Sequence, residues 1–413
     1  MDCEVAIIGA GAAGLLAAAR AGERGRRVWL FEKNRRPGVK ILMSGGTRCN
    51  VTHDTDVRGI VAAYGAPGRF LHSALAALGP HELRALFEAE DVPLKVEPGG
   101  KVFPVSDRAS DVLDALLARL QRSGAALFTE EPVVTIARGE GHFLIETNRR
   151  VVEAEKLLVT TGGKSYPGSG TTGDAYAWLA ELGHTIIPPR PSLTPITVDA
   201  PWVKELSGVT IPDTYLKVID PSTNGGKPTV LAERRGSLLF THFGLSGPVA
   251  LDVSRAISGH AQPNKLHLEC DFLPALKEPA VAELLEQELR ASGKRQVGGI
   301  ALGDLPKRLT EQLLRLAGVD PNTKAAELSK AHRATWVQWH KRCQIGVTGT
   351  RGFGKAEVTA GGVALSEVDS RSMESKRVPG LYLAGEVLDL DGPIGGYNFQ
   401  AAFSTGWLAA EHM

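Results

Sequence analysis

Three glycines near the amino end of the chain have the spacing of a nucleotide-binding turn. Gly9, Gly11 and Gly14 lie in the run VAIIGAGAAG. In a GxGxxG turn the first glycine permits the tight bend, the second lets backbone approach a pyrophosphate, and the third lets a helix pack on a strand. Glu32 ends the next apolar run, where a carboxylate accepts hydrogen bonds from ribose hydroxyls and repels a 2′-phosphate. The flanking strand, helix, strand and acid favour a bound adenosine nucleotide over a glycine-rich turn without a ligand.

A second motif, at the other end of the chain, indicates which nucleotide is bound. The run GLYLAGE ends at Glu386 and is followed by GPIGGYNFQAA and then a helical pattern. In two-stretch FAD folds such a strand end places an acid beside the ribitol, and the next helix directs amides at the flavin pyrimidine, which becomes anionic on reduction. A nicotinamide site would not need this distant second half, so the two motifs together predict FAD. Asp389 and Asp391 fit either a flavin contact or a solvated loop.

The segment KILMSGGTRCNVTH, residues 40–53, has small residues where backbone must approach a ligand. Lys40, Arg48 and Asn50 supply hydrogen-bond donors, and the backbone amides can cradle phosphate or line the isoalloxazine edge. Cys49 has no second cysteine nearby in the sequence, and a free cysteine often behaves as a small hydrophobic residue. Packing against the cofactor is therefore favoured over a redox role for Cys49.

Two residues are candidates for the proton transfer that accompanies redox chemistry. Tyr166 lies in GGKSYPGSGTTGD, which ends a strand and opens a helix, a position where ligands collect in α/β folds. It can line the substrate side of the flavin and donate a proton, or it can be a packed loop aromatic. His242 lies in a turn of small residues, LFTHFGLSGP, where a hydrogen-bonded structural histidine is an equal interpretation.

The elements that must position these residues begin with a βαβ unit. Residues 4–8 and 27–31 are apolar and β-branched, and they flank an alanine-rich helical run. Helical patterns follow over residues 69–90 and 110–123, and a β meander is predicted over residues 131–161. The remainder of the chain changes character after residue 187, where short strand-like runs separated by Pro, Gly and Asn begin.

The predicted fold class is α/β, with a discontinuous Rossmann-like FAD-binding domain that carries two insertions. The short strands suggest a β-barrel-like or sandwich domain, and the charge-rich helical runs after it suggest a small helical subdomain. The predicted boundaries are 1–187 for the first part of the FAD domain, 188–272 for the β domain, 273–343 for the helical subdomain, and 344–413 for the second part of the FAD domain.

The overall charge gives no sign of a polymer ligand. The chain has 47 Lys and Arg residues against 46 Asp and Glu, a formal net charge of +1. No single-sign field is available to gather nucleic acid or an anionic membrane. The basic runs at residues 24–27 and 33–36 are interpreted as solvated ends of a helix and a loop. We therefore expect a small-molecule substrate, no nucleic-acid partner and no membrane association, and oligomeric state is not predicted.

Cysteine usage and hydropathy favour a cytoplasmic protein with reduced thiols. The four cysteines lie far apart without a CxxC motif, so neither a disulfide framework nor a metal site is expected. The amino end lacks the basic and apolar pattern of a signal peptide, and no run of about 18 apolar residues occurs.

Taken together, these motifs resemble those of a family of bacterial FAD flavoproteins that includes aminoacetone oxidase and the bile-acid ring reductases. The resemblance covers nearly the whole chain and is carried by VAIIGAGAAG, KILMSGGTRCNVT, LLVTTGGKSYPGSGTTGDAYAWLAELGH, LLFTHFGLSGP, VTAGGV and MESKRVPGLYLAGEVLDLDGPIGGYNFQAAFSTG. It implies a discontinuous FAD domain with a barrel-like and a helical insertion. Two departures occur: Thr47 replaces the third glycine of SGGG, and His53 replaces an asparagine. The first alters the flavin pocket slightly and the second puts one hydrogen bond in doubt, but neither opposes FAD binding.

The resemblance also implies where FAD is held: by the glycine turn, the end of the second strand, the segment after it, the meander beside the adenine, and the last strand and helix. The predicted contacts are Gly9, Gly11, Ala13, Gly14, Glu32, Lys33, Lys40, Ser44, Gly45, Arg48, Cys49, Asn50, Val134, Thr161, Gly162, Gly385, Glu386, Asp391, Gly396, Asn398, Phe399 and Gln400.

The expected activity is that of an FAD-dependent oxidoreductase. Hydride passes between a small organic substrate and the flavin, and either NAD(P)H or oxygen is the other redox partner. Because no second Rossmann domain is predicted, NAD(P)H, if used, enters transiently over the flavin. Oxidation of small amines and reduction of activated alkenes both stay open, whereas the missing CxxC opposes a disulfide reductase. The alternatives are a flavin-dependent RNA-modifying protein, which the neutral charge disfavours, and a flavin-binding sensor without turnover.

Overall fold

The computed structural model describes residues 1–221 and 228–413, which form two compact units, Met1–Pro191 with Glu357–Met413, and Ser192–Ala356. The strands are β1 Cys3–Ile8, β2 Val28–Phe31, β3 Thr52–His53, β4 Leu94–Val96, β5 Lys101–Pro104, β6 Ala126–Phe128, β7 Val133–Arg138, β8 Phe143–Thr147, β9 Val151–Val159, β10 Ile186–Ser192, β11 Ile196–Val198, β12 Thr210–Asp220, β13 Thr229–Thr241, β14 Gly244–Ser246, β15 His267–Asp271, β16 Cys343–Thr350, β17 Val358–Val363 and β18 Leu381–Leu383. The helices are α1 Ala12–Glu23, α2 Val39–Thr47, α3 Val57–Tyr64, α4 His72–Ala77, α5 Pro80–Glu88, α6 Ala109–Arg122, α7 Ala175–Glu181, α8 Pro201–Glu205, α9 Pro248–Ser258, α10 Glu278–Ala291, α11 Lys307–Leu316, α12 Lys330–Lys341 and α13 Tyr397–His412.

The first unit is built on a seven-stranded sheet. Its order is β6-β2-β1-β9-β8-β7, and β18 also pairs with β9. The strands β6, β2, β1, β9 and β18 are parallel, whereas β8 is antiparallel to both of its neighbours. The first half of β9 pairs with β8 and its second half with β18. This branch brings the carboxyl-terminal part of the chain into the sheet that the amino-terminal part begins.

Four parallel strands of this sheet end on the same row. Ile8 is in register with Phe31 of β2 and with Val159 of β9. Val159 is in turn in register with Leu383 of β18. Because the carboxyl ends of parallel strands meet at one edge of a sheet, the loops that follow these four residues converge there.

Helices and loops cover both faces of the sheet. Successive strand residues point to opposite faces, so Ile7 belongs to one buried cluster and Ile8 to the other. The alanine-rich sequence of α1 permits a close approach to α13, since a Cβ on Gly406 would lie 2.5 Å from the carbonyl oxygen of Ala13. The predicted Rossmann-type α/β architecture is confirmed.

The second unit contains a closed six-stranded barrel in the order β11-β14-β13-β12-β15-β16. All six strand pairings that close it are antiparallel. Helices α10, α11 and α12 contribute to the same buried cluster as the barrel strands, and Trp336 of α12 is completely buried in it. The helical part is therefore packed on the barrel within one unit.

Two boundaries differ from those predicted. The strand β10 pairs with β17, so the second unit begins at Ser192 instead of residue 188. The chain returns to the first unit at Glu357 instead of residue 344, because β16 pairs with β15 and β11 and closes the barrel. Without β16 the other five strands would form an open sheet, with β15 and β11 as unpaired edges.

Three local elements were not foreseen. Residues 39–47 form the interrupted helix α2, which was not predicted. One long strand, β13, spans residues 229–241, where shorter strand-like runs were expected. Helix α9 was not predicted either. Among the residues that the structure describes, no helix combines the length and apolar character needed to span a bilayer.

Candidate functional site

The glycine turn after β1 leaves an open approach to the amino end of α1. Gly9 has a φ of +101°, and a Cβ on it would lie 2.7 Å from the carbonyl oxygen of Thr160. A Cβ on Gly14 would lie 1.9 Å from the carbonyl oxygen of Gly9, whereas one on Gly11 would have no described atom within 4 Å. No described side chain caps this helix. The helix amides and dipole thus offer the kind of site that a pyrophosphate fills.

Glu32 is held at the end of β2 by two backbone amides. One carboxylate oxygen accepts from the amide of Ala10 at 2.9 Å and the other from the amide of Asn34 at 2.8 Å. The side chain is nearly buried, so its orientation is fixed beside the glycine turn. Each oxygen keeps a second lone pair, which fits the predicted recognition of ribose hydroxyls.

Lys40, Ser165 and Glu386 form one hydrogen-bonded cluster drawn from three distant parts of the chain. The Lys40 Nζ lies 2.5 Å from Oε2 of Glu386 and 2.6 Å from Oγ of Ser165. The Ser165 hydroxyl donates to Oε1 of Glu386 at 2.5 Å. The amide of Thr359 donates to the same Oε1 at 2.8 Å. Glu386 is therefore a hub between the segment after β2, the loop after β9 and the end of β18.

Lys40 and Glu386 were predicted as contacts from the sequence, whereas Ser165 and Thr359 were not. The Thr359 hydroxyl oxygen accepts from the amides of Lys164 and Ser165 at 2.8 and 3.0 Å. Both missed residues lie in runs that carried the family resemblance, GGKSYPG and VTAGGV. Those runs gave the signal, but only the tertiary structure brings the Ser165 hydroxyl and the Thr359 amide to Glu386.

The segment after β2 turns sharply in the middle of α2. Ser44 is extended, and Gly45 and Gly46 have left-handed φ values of +56° and +69°. Thr47 and Cys49 also have positive φ values, of +70° and +62°. Non-glycine residues adopt this conformation at a cost of about 1–2 kcal/mol. Thr47, which stands where the family has glycine, thus keeps the backbone conformation that glycine favours.

The polar residues of this segment already have protein partners. Burial raises the pKa of the Cys49 thiol to about 12, so the thiolate is absent at neutral pH and the predicted packing role fits. The Arg48 guanidinium donates to Glu97 at 2.6 Å. Oδ1 of Asn50 accepts from the amide of Val102 at 3.2 Å.

The amino end of α13 is fixed by its own side chains. Gly396 precedes the helix with a φ of +93°, and no described side chain caps it. Asn398 closes the preceding loop, since its Oδ1 accepts from the amide of Gly392 at 2.8 Å. Gln400 is buried, and its Oε1 accepts from the Thr52 hydroxyl at 2.6 Å. The side chains of Asn398 and Gln400 thus anchor the helix end whose amides were predicted to approach the flavin.

Gly385 connects the first turn of α1 to α13. It has a φ of +77°, and a Cβ on it would lie 3.2 Å from Cβ of Ala13 and 3.8 Å from Cβ of Ala402. Its amide donates to the Thr405 hydroxyl at 3.0 Å. Phe399 packs on the same buried cluster as Ala13. The first turn of α1 therefore lies close to the interior of α13 beside the carboxyl end of β18.

Lys33 and Val134 are two further predicted contacts of the nucleotide. Lys33 is paired with Asp174 at 2.5 Å. Val134 is 56% exposed. It lies between Val133 and Thr135, where the register between β7 and β8 shifts, so it is not part of the regular pairing of these two strands. This position is compatible with the predicted contact to the adenine.

The loop after β9 contains two further predicted contacts, Thr161 and Gly162. Gly162 has a φ of +73°, and a Cβ on it would lie 2.9 Å from Cγ2 of Thr171. Asp391 is nearly buried in the loop after β18.

The two catalytic candidates lie in different units. Tyr166 directly follows Ser165 and is half-buried, with a left-handed backbone at φ +55° and ψ +62°. Strain of this kind is found at functional sites more often than elsewhere. His242 is exposed in the turn between β13 and β14, where its ring packs edge-on against Phe243 at a centroid distance of 5.0 Å.

Comparison with known proteins identifies the family. The family described as HI0933-like protein Rossmann domain matches residues 3–412. The chain belongs to this family. The resemblance to FAD-dependent flavoprotein oxidoreductases, inferred from the motifs, is thereby confirmed.

Three relatives are similar to this chain over nearly their whole lengths. It is 34% identical to a ribosomal RNA dihydrouridine synthase of Escherichia coli K12, over 98% of this chain and 97% of the relative. It is 33% identical to the protein of the same name from Haemophilus influenzae, over 98% and 96%. It is 30% identical to a 3-dehydro-bile acid delta(4,6)-reductase of Clostridium scindens, over 98% and 97%.

The converging loops fit the FAD that this family implies. The open position at Gly11 and the uncapped start of α1 suit the pyrophosphate, and Glu32 suits the adenosine ribose. Glu386 and the start of α13 suit the ribitol and the flavin ring. Among the described residues, no group of three or more His, Cys, Asp or Glu side chains could hold a metal ion.

Proposed function

We propose that this chain is an FAD-dependent reductase that adds two hydrogens to the C5=C6 bond of a uridine in ribosomal RNA. The observation that carries the proposal is the identity of 34% and 33% to two ribosomal RNA dihydrouridine synthases over essentially complete chains. Dihydrouridine differs from uridine by one hydrogen on each of these two carbons. A hydride and a proton must therefore be delivered to neighbouring atoms.

The third relative points to the same bond chemistry. A delta(4,6)-reductase saturates a carbon–carbon double bond, here at 30% identity over 98% of this chain. In uracil the C5=C6 bond is conjugated to the C4 carbonyl, so both substrates are electron-poor alkenes. Reduction of an activated alkene is the reaction class that all three relatives share, and it favours a reductase over an amine oxidase.

The residues at the sheet edge would hold FAD for this reaction. FAD, when bound, supplies a hydride carrier that NAD(P)H can recharge. The start of α1 and Glu32 would hold the adenosine diphosphate part, and Lys40 and Glu386 would hold the part nearer the flavin. Because the second unit is built on a closed barrel and not on a second Rossmann-type sheet, NAD(P)H would enter transiently and leave before the RNA base binds.

Tyr166 is the proposed proton donor. Its neighbour Ser165 is fixed to Glu386, and the Ser165 amide is fixed to Thr359, so the loop is rigid up to the position before the tyrosine. A phenol that transfers a proton in this way contributes about 10²- to 10⁴-fold to a rate. We expect Tyr166→Phe to keep FAD and its reduction by NADPH, and to lose about 100-fold in dihydrouridine formation. His242→Gln with the same loss, and an unaffected Tyr166→Phe, would assign the donor to His242 instead.

The distribution of charge removes the objection that the neutral total raised against RNA. The segment Ser192–Ala356 has 21 Lys and Arg residues against 16 Asp and Glu, a formal charge of +5. The rest of the chain has 26 against 30, a formal charge of −4. A basic unit can attract phosphate even when the whole protein is close to neutral.

The test is turnover on matched substrates. The purified holoprotein is incubated without oxygen with NADPH and either unmodified ribosomal RNA transcript or an unsaturated 3-keto steroid. The RNA is digested and its nucleosides are separated by mass spectrometry. Dihydrouridine in the RNA supports the proposal. Steroid reduction without dihydrouridine would make the chain a small-molecule alkene reductase, the second candidate that the bile-acid relative favours.

A further inference from the structure

We propose that four exposed cations on the helical part of the second unit, Lys294, Arg295, Lys324 and Lys330, form a surface that binds RNA phosphates. This inference rests on the proposed function, and it names the part of the protein that holds the RNA. We refer to these four residues as the basic strip.

The basic strip lies on two backbone segments that run side by side. The amide of Val297 donates to the carbonyl of Thr323 at 2.9 Å, and the amide of Ala325 donates to the carbonyl of Arg295 at 2.9 Å. Between these bonds, Gln296 and Lys324 form an antiparallel bridge. The backbone therefore fixes Lys294 and Arg295 of one segment beside Lys324 of the other.

The second segment continues directly into α12. Ser329 caps this helix by accepting from the amide of His332 at 3.2 Å, and Lys330 is the first helical residue. The first turn of α12 contains no acidic residue. A cation at a helix amino end is unfavourable by about 0.3–1 kcal/mol, because the helix dipole is positive there. Lys330 thus destabilises the start of the helix. An anion bound by both Lys330 and the helix amides would make the presence of the lysine favourable there.

All four side chains are exposed. Within the described structure, Lys294, Arg295 and Lys330 have no ion-pair partner, and Lys324 has only Glu327 at 3.9 Å. The nearby Arg333 is different, because it is paired with Glu286 at 2.9 Å. Cations without carboxylate partners keep their full charge for an outside ligand.

Charge in this part of the chain is strongly one-sided. Residues 290–333 contain nine Lys and Arg against four Asp and Glu, a formal charge of +5 that equals the excess of the whole second unit. The four cations of the basic strip are spread over two paired segments and the start of the helix that follows, and this spread of charge suits a chain of phosphates better than a compact ligand. The partner is therefore the RNA backbone, contacted without base recognition.

The experiment compares two matched triple variants of the full-length holoprotein. The strip variant is Lys294→Gln with Arg295→Gln and Lys330→Gln. The control is Lys204→Gln with Lys265→Gln and Lys277→Gln, which removes the same charge from exposed positions of the same unit. Binding of unmodified ribosomal RNA transcript is measured by fluorescence anisotropy over a range of salt concentrations. Flavin content, and flavin reduction by NADPH, verify that each variant is folded.

We expect the strip variant to bind RNA at least tenfold more weakly than the wild type. The slope of its logarithmic affinity against logarithmic salt concentration should be shallower by an amount that corresponds to about two phosphate contacts. The control should lose less than threefold. If the wild type binds the transcript and forms dihydrouridine, but the two variants bind alike, the basic strip is overturned and the proposed function stands. If the wild type does not bind the transcript at all, both fail together.

Discussion

The Nζ atom of Lys40 lies 2.5 Å from Oε2 of Glu386, although the two residues are separated by almost the whole chain. The pair is formed because β18 joins the sheet beside β9. This pairing places the end of β18 next to the loops that follow β1, β2 and β9. Their side chains are 28% and 17% exposed, so the pair is only partly screened by water. It connects the two halves of the nucleotide-binding fold.

The first prediction concerns this ion pair. Lys40→Met leaves Glu386 with Ser165 and the Thr359 amide but without its cation. We expect the Kd for FAD to rise by at least about tenfold, which corresponds to about 1.4 kcal/mol. Quenching of FAD fluorescence during titration of the apoprotein measures it. Lys95→Met, which breaks an exposed pair with Asp107 in the same unit, is the control and should change the Kd by less than twofold.

The second prediction separates a cofactor glycine from a packing glycine. Gly11→Val places its side chain in open space, so the apoprotein should melt within about 2 °C of the wild type and lose FAD binding by at least about 100-fold. Gly14→Val drives a Cβ into the carbonyl oxygen of Gly9 and should destabilise the fold by several kcal/mol. Calorimetry and FAD titration of both variants provide the measurement. A Gly11→Val protein that still binds FAD tightly would place the pyrophosphate elsewhere.

The third prediction concerns Cys49. Because burial raises the pKa of its thiol to about 12, essentially no thiolate is present between pH 6 and pH 9. We expect the native protein to leave Cys49 unmodified by iodoacetamide, and Cys49→Ala to retain turnover within about twofold. Peptide mass spectrometry and steady-state kinetics check the two statements. Loss of turnover with an unchanged flavin spectrum would give Cys49 a chemical role.

The fourth prediction is an acid-dependent loss of stability in the first unit. Glu367 accepts from the Thr185 amide and hydroxyl at 2.8 Å each, and Arg377 holds the pKa of this carboxyl at about 2, below its usual 4.5. A lowered acid pKa gives stability that is present above pH 4.5 and lost as the pH falls toward 2. Burial also lowers the pKa of His184 below its usual 6.5, so stability falls again as pH drops below 6.5.

Thermal melting between pH 7 and pH 3 measures this dependence. The melting temperature of the wild type should fall progressively. Glu367→Gln should melt at a lower temperature than the wild type at pH 7, and its melting temperature should fall less than that of the wild type between pH 4.5 and pH 3. Glu278→Gln, at an exposed pair with Arg342, serves as control and should follow the wild type. An acid response of Glu367→Gln as steep as that of the wild type would contradict the assignment.

Much of the fold could be predicted because its signals are local. The βαβ unit is encoded by apolar runs, by glycine spacing and by the alanine-rich α1, all within about 30 residues. The end of the insertion could not be placed, because β16 has a strand sequence that fits either domain. Its position is decided by the partners β15 and β11, and such pairing is non-local.

The candidate site divides in the same way. Gly11 and Glu32 could be predicted as site residues because motif spacing alone defines their positions, and Glu386 could be predicted from its strand end. Ser165 and Thr359 were missed, because nothing in their local sequence shows that the Ser165 hydroxyl and the Thr359 amide meet the distant Glu386 carboxylate. The charge difference between the two units was also not apparent, because the net charge of +1 is the sum of a basic second unit and an acidic first unit.

Hydride transfer from FAD to a uridine of ribosomal RNA, as proposed for this chain, can be followed in a single turnover. The holoprotein is reduced under anaerobic conditions, freed of excess reductant and mixed with unmodified ribosomal RNA transcript, while flavin absorbance and dihydrouridine are followed together. We expect the flavin to be reoxidised and one dihydrouridine to appear for each flavin. Flavin that stays reduced in the presence of the RNA, or is reoxidised without dihydrouridine, would contradict it.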